Sequence, residues 1–579
     1  MNETPPRIAA RLVRYITSPY GILAVLALLC HGVLLLCDYK IWDGWFIENI
    51  QREGRFDVLW RWYFEVGVPH YYFLYRLFGL SIHRIWLHKF ASLGAYLGIA
   101  CGLYYTIHRS GFLKKPEALM ASAFMLTFPG MMTLGEAALT PYVLGLFVFF
   151  IAAAMAVRSE FSTGGRYAAL RVLAEVLFLV GLTYYYALVP FYLVFYLFFV
   201  DFLRRRYLLR RPIDMGRAVV QHFDYLILPL FFWWLKGKLA PTSGFYEGYR
   251  TLHFDLNQFL SSWGLFFNSY LFLHLSEMIS NWPALVCGAA VALLTLRYGR
   301  ASMPEPSSKK PQGKPRGKKT KQKQASGYQT QRELYKAACL FAFGCFAVFM
   351  GAFPYLMIGR LFYAYGYVSN SNLLIPIGAA LILTAFLGAV RLLLVRWDGK
   401  GAVSAGLIAY LLTSFICIWT SNYLSWEAVC AKEQSLATKL RDDANAQVCS
   451  IFLVDDRFVI PKTDIYPTAM ASVQFEDALH KRSVFAFHVT YNPAYGRPSP
   501  LRRSTLDKIM LDTTIPYFFN EVDLTARQAL VFITEGRRHY TPIDIGLRYL
   551  LLKRGLSSSN EELSRFLDDL VEIQVVPLQ

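Results

Sequence analysis

Charged residues are scarce in this sequence. They make up 17% of the 579 residues, whereas 55% belong to the hydrophobic set, and a soluble protein carries about a quarter charged residues. This scarcity excludes an ordinary soluble protein. Aromatic residues reach 16%, an enrichment typical of proteins whose Trp and Tyr side chains line membrane interfaces. The mean hydropathy of +0.34 agrees, and the sequence predicts a polytopic α-helical membrane protein.

Several chemical signatures are missing. The sequence has no Walker, Rossmann or nucleophile-elbow pattern and no His/Cys spacing typical of a zinc site. Of its nine cysteines, seven lie in or near apolar runs and are interpreted as small packing residues. Cys430 and Cys449 are the other two, and we predict that they form a disulfide if their compartment is oxidising.

The net charge of +19 does not indicate a nucleic-acid partner. The basic residues occur in short clusters between apolar runs, as the positive-inside rule predicts for cytoplasmic loops. We therefore interpret the charge as topology together with attraction to membrane lipids, and expect no nucleic acid as partner.

Runs of roughly twenty apolar residues suffice to cross a bilayer. This length predicts eleven spans, near residues 20–38, 88–107, 117–135, 138–157, 168–186, 187–203, 220–238, 280–297, 334–354, 373–395 and 402–421. The basic clusters then all fall on one side, which places the N-terminus in the cytoplasm and the C-terminal residues outside. Because no eukaryotic sorting signal is present, we expect a bacterial inner membrane and a periplasmic C-terminal domain.

The predicted spans define two domains, 1–421 in the membrane and 422–579 outside it. The first includes outer loops 39–83 and 239–279 and a Pro/Gly/Lys-rich cytoplasmic loop, 302–327, predicted to be disordered. The second alternates strand-like runs (SIFLV, VFAFHV, ALVFITE, VEIQVV) with helix-like runs at 426–444, 469–481, 541–554 and 560–570. Such alternation predicts a compact α/β domain.

Two carboxylates follow the first apolar run at once, in CDYKIWDGWFIENI (37–50). Acids at a membrane edge are costly unless they are paired or hydrated, so they raise a functional question. For Asp38 a structural role, ending the first helix in water, and a catalytic role are both open. Asp43 is the stronger candidate because of the segments that follow it.

Those segments are WDGWFIENIQREGRF, GVPHYYFLYRLFG and HKFASLGAYLG. Together they resemble the first outer loop of the GT-C superfamily of membrane glycosyltransferases, in the branch of the protein O-mannosyltransferases and lipid A aminoarabinose transferases. Asp43 matches the Asp of that family's Asp-Glu pair, and Pro69 with its aromatic neighbours matches the Pro-aromatic turn. Gly44 stands where the family has Glu, and Glu48, one helical turn beyond Asp43, is a candidate substitute.

The resemblance implies a GT-C-like fold and an inverting transfer of sugar from a polyprenyl-phosphate donor. The acceptor is a glycan, glycolipid or protein, and the sequence does not choose among them. Asp43 would act as general base on the acceptor hydroxyl. His70 is the second candidate for proton transfer because its ordinary pKa suits neutral pH.

The departing phosphate needs cations, and several side chains are placed to meet it. The candidate substrate and phosphate contacts are Lys236, Lys238, Arg250, Arg360, Glu136 and Tyr355. The lysines are also explained by snorkelling to the interface. Glu136, in the short outer turn LGEAALTP, is either a solvated turn residue or a second acid. No cofactor is expected with certainty, although Asp43 and Glu136 are suitable oxygen ligands for a divalent metal.

Two other classes of protein stay open. A transporter or flippase of lipid-linked glycans would show paired repeats and charged groups at mid-membrane, whereas the ionisable residues here gather at the outer edge. A membrane scaffold or sensor with an outer binding domain would leave Asp43, Arg360 and the lysines without a shared pocket.

Overall fold

The computed structural model describes most of the chain. The described residues are 13–41, 43–81, 83–208, 212–243, 256–268, 270, 274–298, 317–357, 365, 367–394, 401–461, 463, 468–481, 484–488, 526–555 and 560–578. Two of the predicted phosphate contacts, Arg250 and Arg360, lie outside them, as does part of the basic segment, 302–316.

The described residues up to 442 are mostly helical. The first helices are α1 (Pro19–His31), α2 (Asp43–Glu53), α3 (Phe56–Glu65), α4 (His70–Gly79), α5 (Arg84–Arg109), α6 (Lys115–Thr127), α7 (Thr140–Ser159), α8 (Gly164–Tyr184) and α9 (Leu188–Arg206). They are followed by α10 (Pro212–Gln221), α11 (Phe223–Leu239), α12 (Leu256–Phe267), α13 (His274–Ile279), α14 (Trp282–Tyr298), α15 (Gly317–Leu356), α16 (Ile375–Leu393) and α17 (Ala402–Asp442).

Among the described residues, six helices are long and apolar enough to cross a membrane, and a bent pair makes a seventh when counted as one span. The six are Arg84–Arg109, Ala137–Ser159, Gly164–Tyr184, Thr330–Leu356, Ile375–Leu393 and Ala402–Asp442. The pair is Ile213–Gln221 with Phe223–Leu239, bent by 48°. These helices support an integral membrane protein, but the predicted number of eleven is not confirmed.

The differences from the predicted spans have local causes. Helix α6 ends at Thr127 because Pro129 and Gly130 follow it and stop the helix. The predicted span 117–135 therefore becomes a short helix followed by a non-helical loop. Helix α9 is present, but Asp201 and the arginines at its end reduce its apolar length. The apolar helices at Pro19–Leu35 and Trp282–Arg297 are shorter than the others.

The C-terminal region contains a small mixed sheet. After the short helix α18 (Ala444–Val448), the order is β1 (Ile451–Asp456), α19 (Thr468–Leu479), β2 (Phe485–His488), β3 (Gln528–Glu535), α20 (Pro542–Lys553), α21 (Asn560–Leu570) and β4 (Val571–Leu578). The strand order is β2-β1-β3-β4. Strand β1 pairs in parallel with β2 and β3, and β4 closes the sheet antiparallel to β3. The four strands and four helices predicted in this region are confirmed.

Two helices differ in extent from the predicted domain organisation, which stays a prediction. Residues 317–327, predicted to be disordered, begin helix α15; Pro315 is the last proline before it, and the Lys, Gln and Ala residues that follow favour a helix. Helix α17 also continues through residue 421, the predicted domain boundary, and delivers its last turns to the sheet.

The predicted disulfide is wrong, since Cys430 and Cys449 are both free thiols. Cys430 lies within α17, twelve residues before that helix ends at Asp442, a rise of about 18 Å. Cys449 follows α18 at the start of the sheet. A disulfide needs Cα atoms within about 7 Å, so the helix length separates the two thiols.

Candidate active site

The loop between α6 and α7 ends in a buried acid. Glu136 is 1% exposed, and its side chain caps the short 3-10 turn Ala137–Leu139. Its Oε2 atom accepts a hydrogen bond of 2.7 Å from the backbone N–H of Ile41. The loop is thereby tied to the segment that follows α1, so Glu136 is not the solvated turn residue that the sequence left open.

Helix α2 approaches this carboxyl at its second residue, Gly44. A Cβ atom at residue 44 would lie 1.9 Å from Oε1 of Glu136, so a side chain at this position would require the Glu136 carboxyl to move. Gly44 is the position where the sequence departs from the GT-C motif. The missing side chain has a physical reason here: the Glu136 carboxyl fills the space in which a side chain of residue 44 would begin.

Asp43, the first residue of α2, interacts electrostatically with Glu136. Burial is the main cause that raises the pKa of Glu136. Hydrogen bonds from the N–H groups of Ile41 and Ala138 lower this pKa, the neighbouring Asp43 raises it, and the net value is about 8. At neutral pH the Glu136 carboxyl is therefore mostly protonated. A neutral acid beside Asp43 avoids the repulsion of two adjacent negative charges.

Glu136 borders a small cleft, and Gly44, the residue after Asp43, also lines it. Its lining combines backbone, aromatic, carboxyl and basic groups: Tyr39, Lys40, Gly44, Glu48, Gln51, Ile85, His88, Gly135, Glu136 and Ala137. Glu48, the predicted substitute for the family's second acid, forms ion pairs with Lys40 and, at 3.7 Å, with Arg84. It lies in the cleft, but its charge is balanced by cations.

Tyrosines form the neighbouring wall. Tyr63 and Tyr75 stack with ring centroids 5.1 Å apart, and both interact with Asp43. The Tyr75 hydroxyl donates to the Ala137 carbonyl at 3.1 Å, next to Glu136. Tyr71 donates in turn to the Tyr184 carbonyl. These contacts hold helices α3 and α4 against the ends of α7 and α8.

His70 lies next to Tyr71, one of these tyrosines, with ring centroids 4.8 Å apart. Its ring packs edge-on against Tyr184 at 4.8 Å. Burial is the main cause that lowers the pKa of His70, a hydrogen bond to the Thr183 carbonyl raises it, Lys236 lowers it, and the resulting pKa is about 4. His70 is therefore neutral at pH 7, and its buried Nε2 atom has no hydrogen-bond partner among the residues that the structure describes.

The predicted phosphate contacts are distributed unevenly. The Lys236 ammonium lies over the Tyr186 ring, 3.8 Å from its centroid, and it interacts electrostatically with His70. Lys238 is exposed. The Tyr355 hydroxyl shares a hydrogen bond of 2.9 Å with the Tyr185 hydroxyl. The structure thus places Lys236 and Tyr355 near the aromatic residues that end α8.

Asp38 has other partners. Its carboxylate forms ion pairs of 2.9 Å with Lys553 and 3.3 Å with Arg554, both in the C-terminal region. Burial raises the pKa of Asp38, but the charges of Lys553 and Arg554 outweigh burial and hold that pKa below its ordinary value. These contacts favour the structural role that the sequence left open for Asp38.

Sequence reasoning missed the basic residues nearest the acids, Lys40, Arg84 and Lys89. Lys89 is 1% exposed and donates to the Cys37 carbonyl at 2.6 Å. The signal was present in WLHKFAS, where His88 and Lys89 interrupt an apolar helix, because ionisable residues in such a run mark functional positions. The segment SIHRIW similarly carries Arg84.

Within the described ranges, no three His, Cys, Asp or Glu side chains form a group able to hold a metal ion. A divalent ion bound by Asp43 and Glu136 stays a prediction. It competes with the proton on Glu136 and with the hydrogen bond from Ile41.

Comparison with known proteins gives no assignment: no protein-family model matches the chain, and no curated protein matches its sequence.

Proposed function

We propose that this protein is an integral-membrane glycosyltransferase of the GT-C type, which transfers a sugar from a polyprenyl-phosphate donor to an acceptor hydroxyl. The observation that carries the proposal is the acid pair. Asp43 interacts electrostatically with Glu136, which lines a small cleft, and Gly44 leaves the space that Glu136 occupies.

The two acids suit different tasks because their surroundings differ. In the proposed reaction Asp43 accepts the proton of the acceptor hydroxyl, whose oxygen then bonds to the anomeric carbon. The bond from that carbon to the phosphate oxygen breaks on the opposite face, so the configuration inverts. Glu136, protonated at neutral pH, donates a hydrogen bond without adding negative charge. Environments that separate two acids in this way are typical of acid–base catalysis.

The phosphate that leaves carries the polyprenyl chain and needs positive charge. Lys40 and Arg84 form ion pairs with Glu48, which lines the cleft, and Lys236 lies over the Tyr186 ring. We propose Lys40 and Arg84 as phosphate contacts in addition to Lys236, Lys238, Arg250 and Arg360. Arg84 suits this role because a guanidinium group binds phosphate oxygens in pairs.

A second candidate is proton-coupled transport of a lipid-linked glycan. The observation that favours it is also Glu136, since a buried carboxyl with a pKa of about 8 gains and loses a proton near neutral pH. Its position argues for the enzyme, because Glu136 lies in a loop at the end of a span and not within one.

The test is sugar transfer by the purified protein in liposomes, with radiolabelled polyprenyl-phosphate sugars and a membrane extract as acceptor. Replacing Asp43 by Asn should lower the transfer rate by roughly 10²- to 10⁴-fold, the usual contribution of a general base. Asp57→Asn is the matched control, since Asp57 is exposed on the neighbouring helix α3. Equal rates for wild type and Asp43→Asn would reject Asp43 as the base. Labelled lipid moving across the bilayer without new glycosidic bonds would favour transport.

A further inference from the structure

Residues 36–41 connect the end of α1 to the acid pair, and charged side chains hold this segment along its length. Arg554 donates to the Leu36 carbonyl through Nη2 at 2.7 Å and Nε at 3.2 Å. Lys89 donates to the next carbonyl, that of Cys37. At the other end, the N–H of Ile41 donates to Glu136. One short segment therefore carries contacts to the C-terminal region and to the cleft.

Asp38 is held from two directions. Its carboxylate receives Lys553 and Arg554, and its backbone N–H donates to Oε2 of Glu427 at 2.9 Å. Glu427 belongs to α17 and is fully buried. The two basic residues stand at and just after the end of α20, so two separate helices fix the same residue.

Helix α20 is itself closely packed on α17. A Cβ atom at Gly546 would lie 2.0 Å from the Leu424 carbonyl oxygen, so only glycine permits this approach. One turn further along α17, Glu427 reaches Asp38. Tyr549, on the same helix as Gly546, is fully buried, and its hydroxyl lies 3.9 Å from the Cys430 sulfur. Lys553 and Arg554 are thus carried by a helix that packs closely on α17.

We propose that Lys553 and Arg554 are positioning residues for the cleft: by holding Leu36 and Asp38 they fix the course of the backbone to Ile41, and so place its N–H against the Glu136 carboxyl. The C-terminal region then has a defined task, to hold one wall of the cleft from outside the helical bundle. The contacts stand by themselves, and the meaning for catalysis rests on the proposed glycosyl transfer.

The first test is hydrogen–deuterium exchange of the full-length protein in lipid nanodiscs. In the double variant Lys553→Met/Arg554→Met, the peptide covering residues 36–41 should exchange at least about tenfold faster, as expected when hydrogen bonds from charged donors are lost. Peptides of β1 and β3 should keep their wild-type rates. Lys553→Met alone, which leaves Arg554 on Leu36, is the milder variant for use if the double variant does not fold.

The second test is the infrared C=O stretch of protonated Glu136, identified by its loss in Glu136→Gln. Loss of the Ile41 hydrogen bond should move this band to higher frequency in the double variant, and Lys553→Arg should keep it near the wild-type position. Arg548→Met is the matched control, because Arg548 lies on the same helix but pairs with Glu562 and covers Tyr540 and Phe566.

The outcomes separate this inference from the proposed function. Wild-type protection of 36–41 in the double variant overturns the inference, and so does faster exchange with an unchanged Glu136 band. Equal effects in Arg548→Met would also overturn it, since they would show general loosening. If transfer is measured, the double variant should lower kcat with little change in the donor KM. Absence of transfer in the wild type rejects the enzyme proposal and leaves the exchange and infrared results to decide the positioning role.

Discussion

The segment 36–41 contains the acid Asp38 and is contacted at Ile41 by a second acid, Glu136, and the surroundings of these two acids shift their pKa values in opposite directions. Asp38 is a carboxylate between two cations, Lys553 and Arg554, and its pKa is lowered. Glu136 is buried beside another acid and has its pKa raised to about 8. The stability contributions of two acids at the same short segment thus change with pH in opposite directions. The comparison shows that the neighbouring groups of an acid, rather than its distance from the membrane, determine the direction in which its pKa is shifted.

The largest expected effect is the response of Glu136 to pH. Its pKa in the folded protein, about 8, lies above its ordinary value of 4.5. The contribution of Glu136 to the free energy of unfolding is therefore fully present below pH 4.5 and is lost as the pH rises towards 8. The loss amounts to up to about 5 kcal/mol at 1.4 kcal/mol per pKa unit. Glu136→Gln should remove the decline. Thermal unfolding of both proteins between pH 5 and 9 measures it, and parallel curves would show that Glu136 is not buried.

The next effect concerns the space beside Glu136. Gly44→Ala should destabilise the protein by about 1–3 kcal/mol, the usual cost of overpacking, because the new Cβ meets the carboxyl oxygen. Gly94→Ala is the control, as a Cβ at this position in helix α5 meets nothing within 4 Å. Thermal unfolding compares the two variants. The double variant Gly44→Ala/Glu136→Ala should recover part of the loss, and an unaffected Gly44→Ala would contradict the contact.

The Asp38 end should respond more weakly and in the acid range. Because its pKa is lowered in the folded protein, the stabilisation is present above the ordinary value and is lost as the pH falls through the folded value. Asp38→Asn should therefore cost about 1 kcal/mol at pH 7, as for a partly exposed ion pair, and less at pH 3. A double-mutant cycle with Lys553→Met measures the coupling, and additive effects would deny the ion pair.

The smallest effect is expected for the thiols. Since Cys430 and Cys449 are free, dithiothreitol should leave the unfolding temperature unchanged. A structural disulfide would contribute about 2–4 kcal/mol, and a clear drop on reduction would contradict the free thiols.

Local patterns account for what the sequence predicted well. The strands of the C-terminal sheet and helices such as Pro542–Lys553 and Asn560–Leu570 follow from the alternation of strand-like and helix-like runs along the sequence. Hydropathy alone did not show that Pro129 and Gly130 end helix α6, although both residues are turn formers. That break creates the loop in which Glu136 is buried.

Asp43 and Glu136 were both candidates from the sequence, yet their meeting was predicted only as a metal site. The contact between Gly44 and Glu136 joins residues far apart in the chain, and a single sequence carries no sign of such a contact. The sequence did not predict the partners of Asp38 for the same reason, because Lys553 and Arg554 lie at the opposite end of the chain. The arrangement of the site therefore depends on long-range packing and not on local propensity.

The most direct measurement is an experimental structure of the protein with a non-hydrolysable polyprenyl-phosphate sugar. Our account predicts density for the sugar in the cleft beside Asp43 and Glu136, with the phosphate in contact with Lys40 or Arg84. Sugar density at a place remote from both acids, with the Asp43 carboxylate in open solvent, would contradict it.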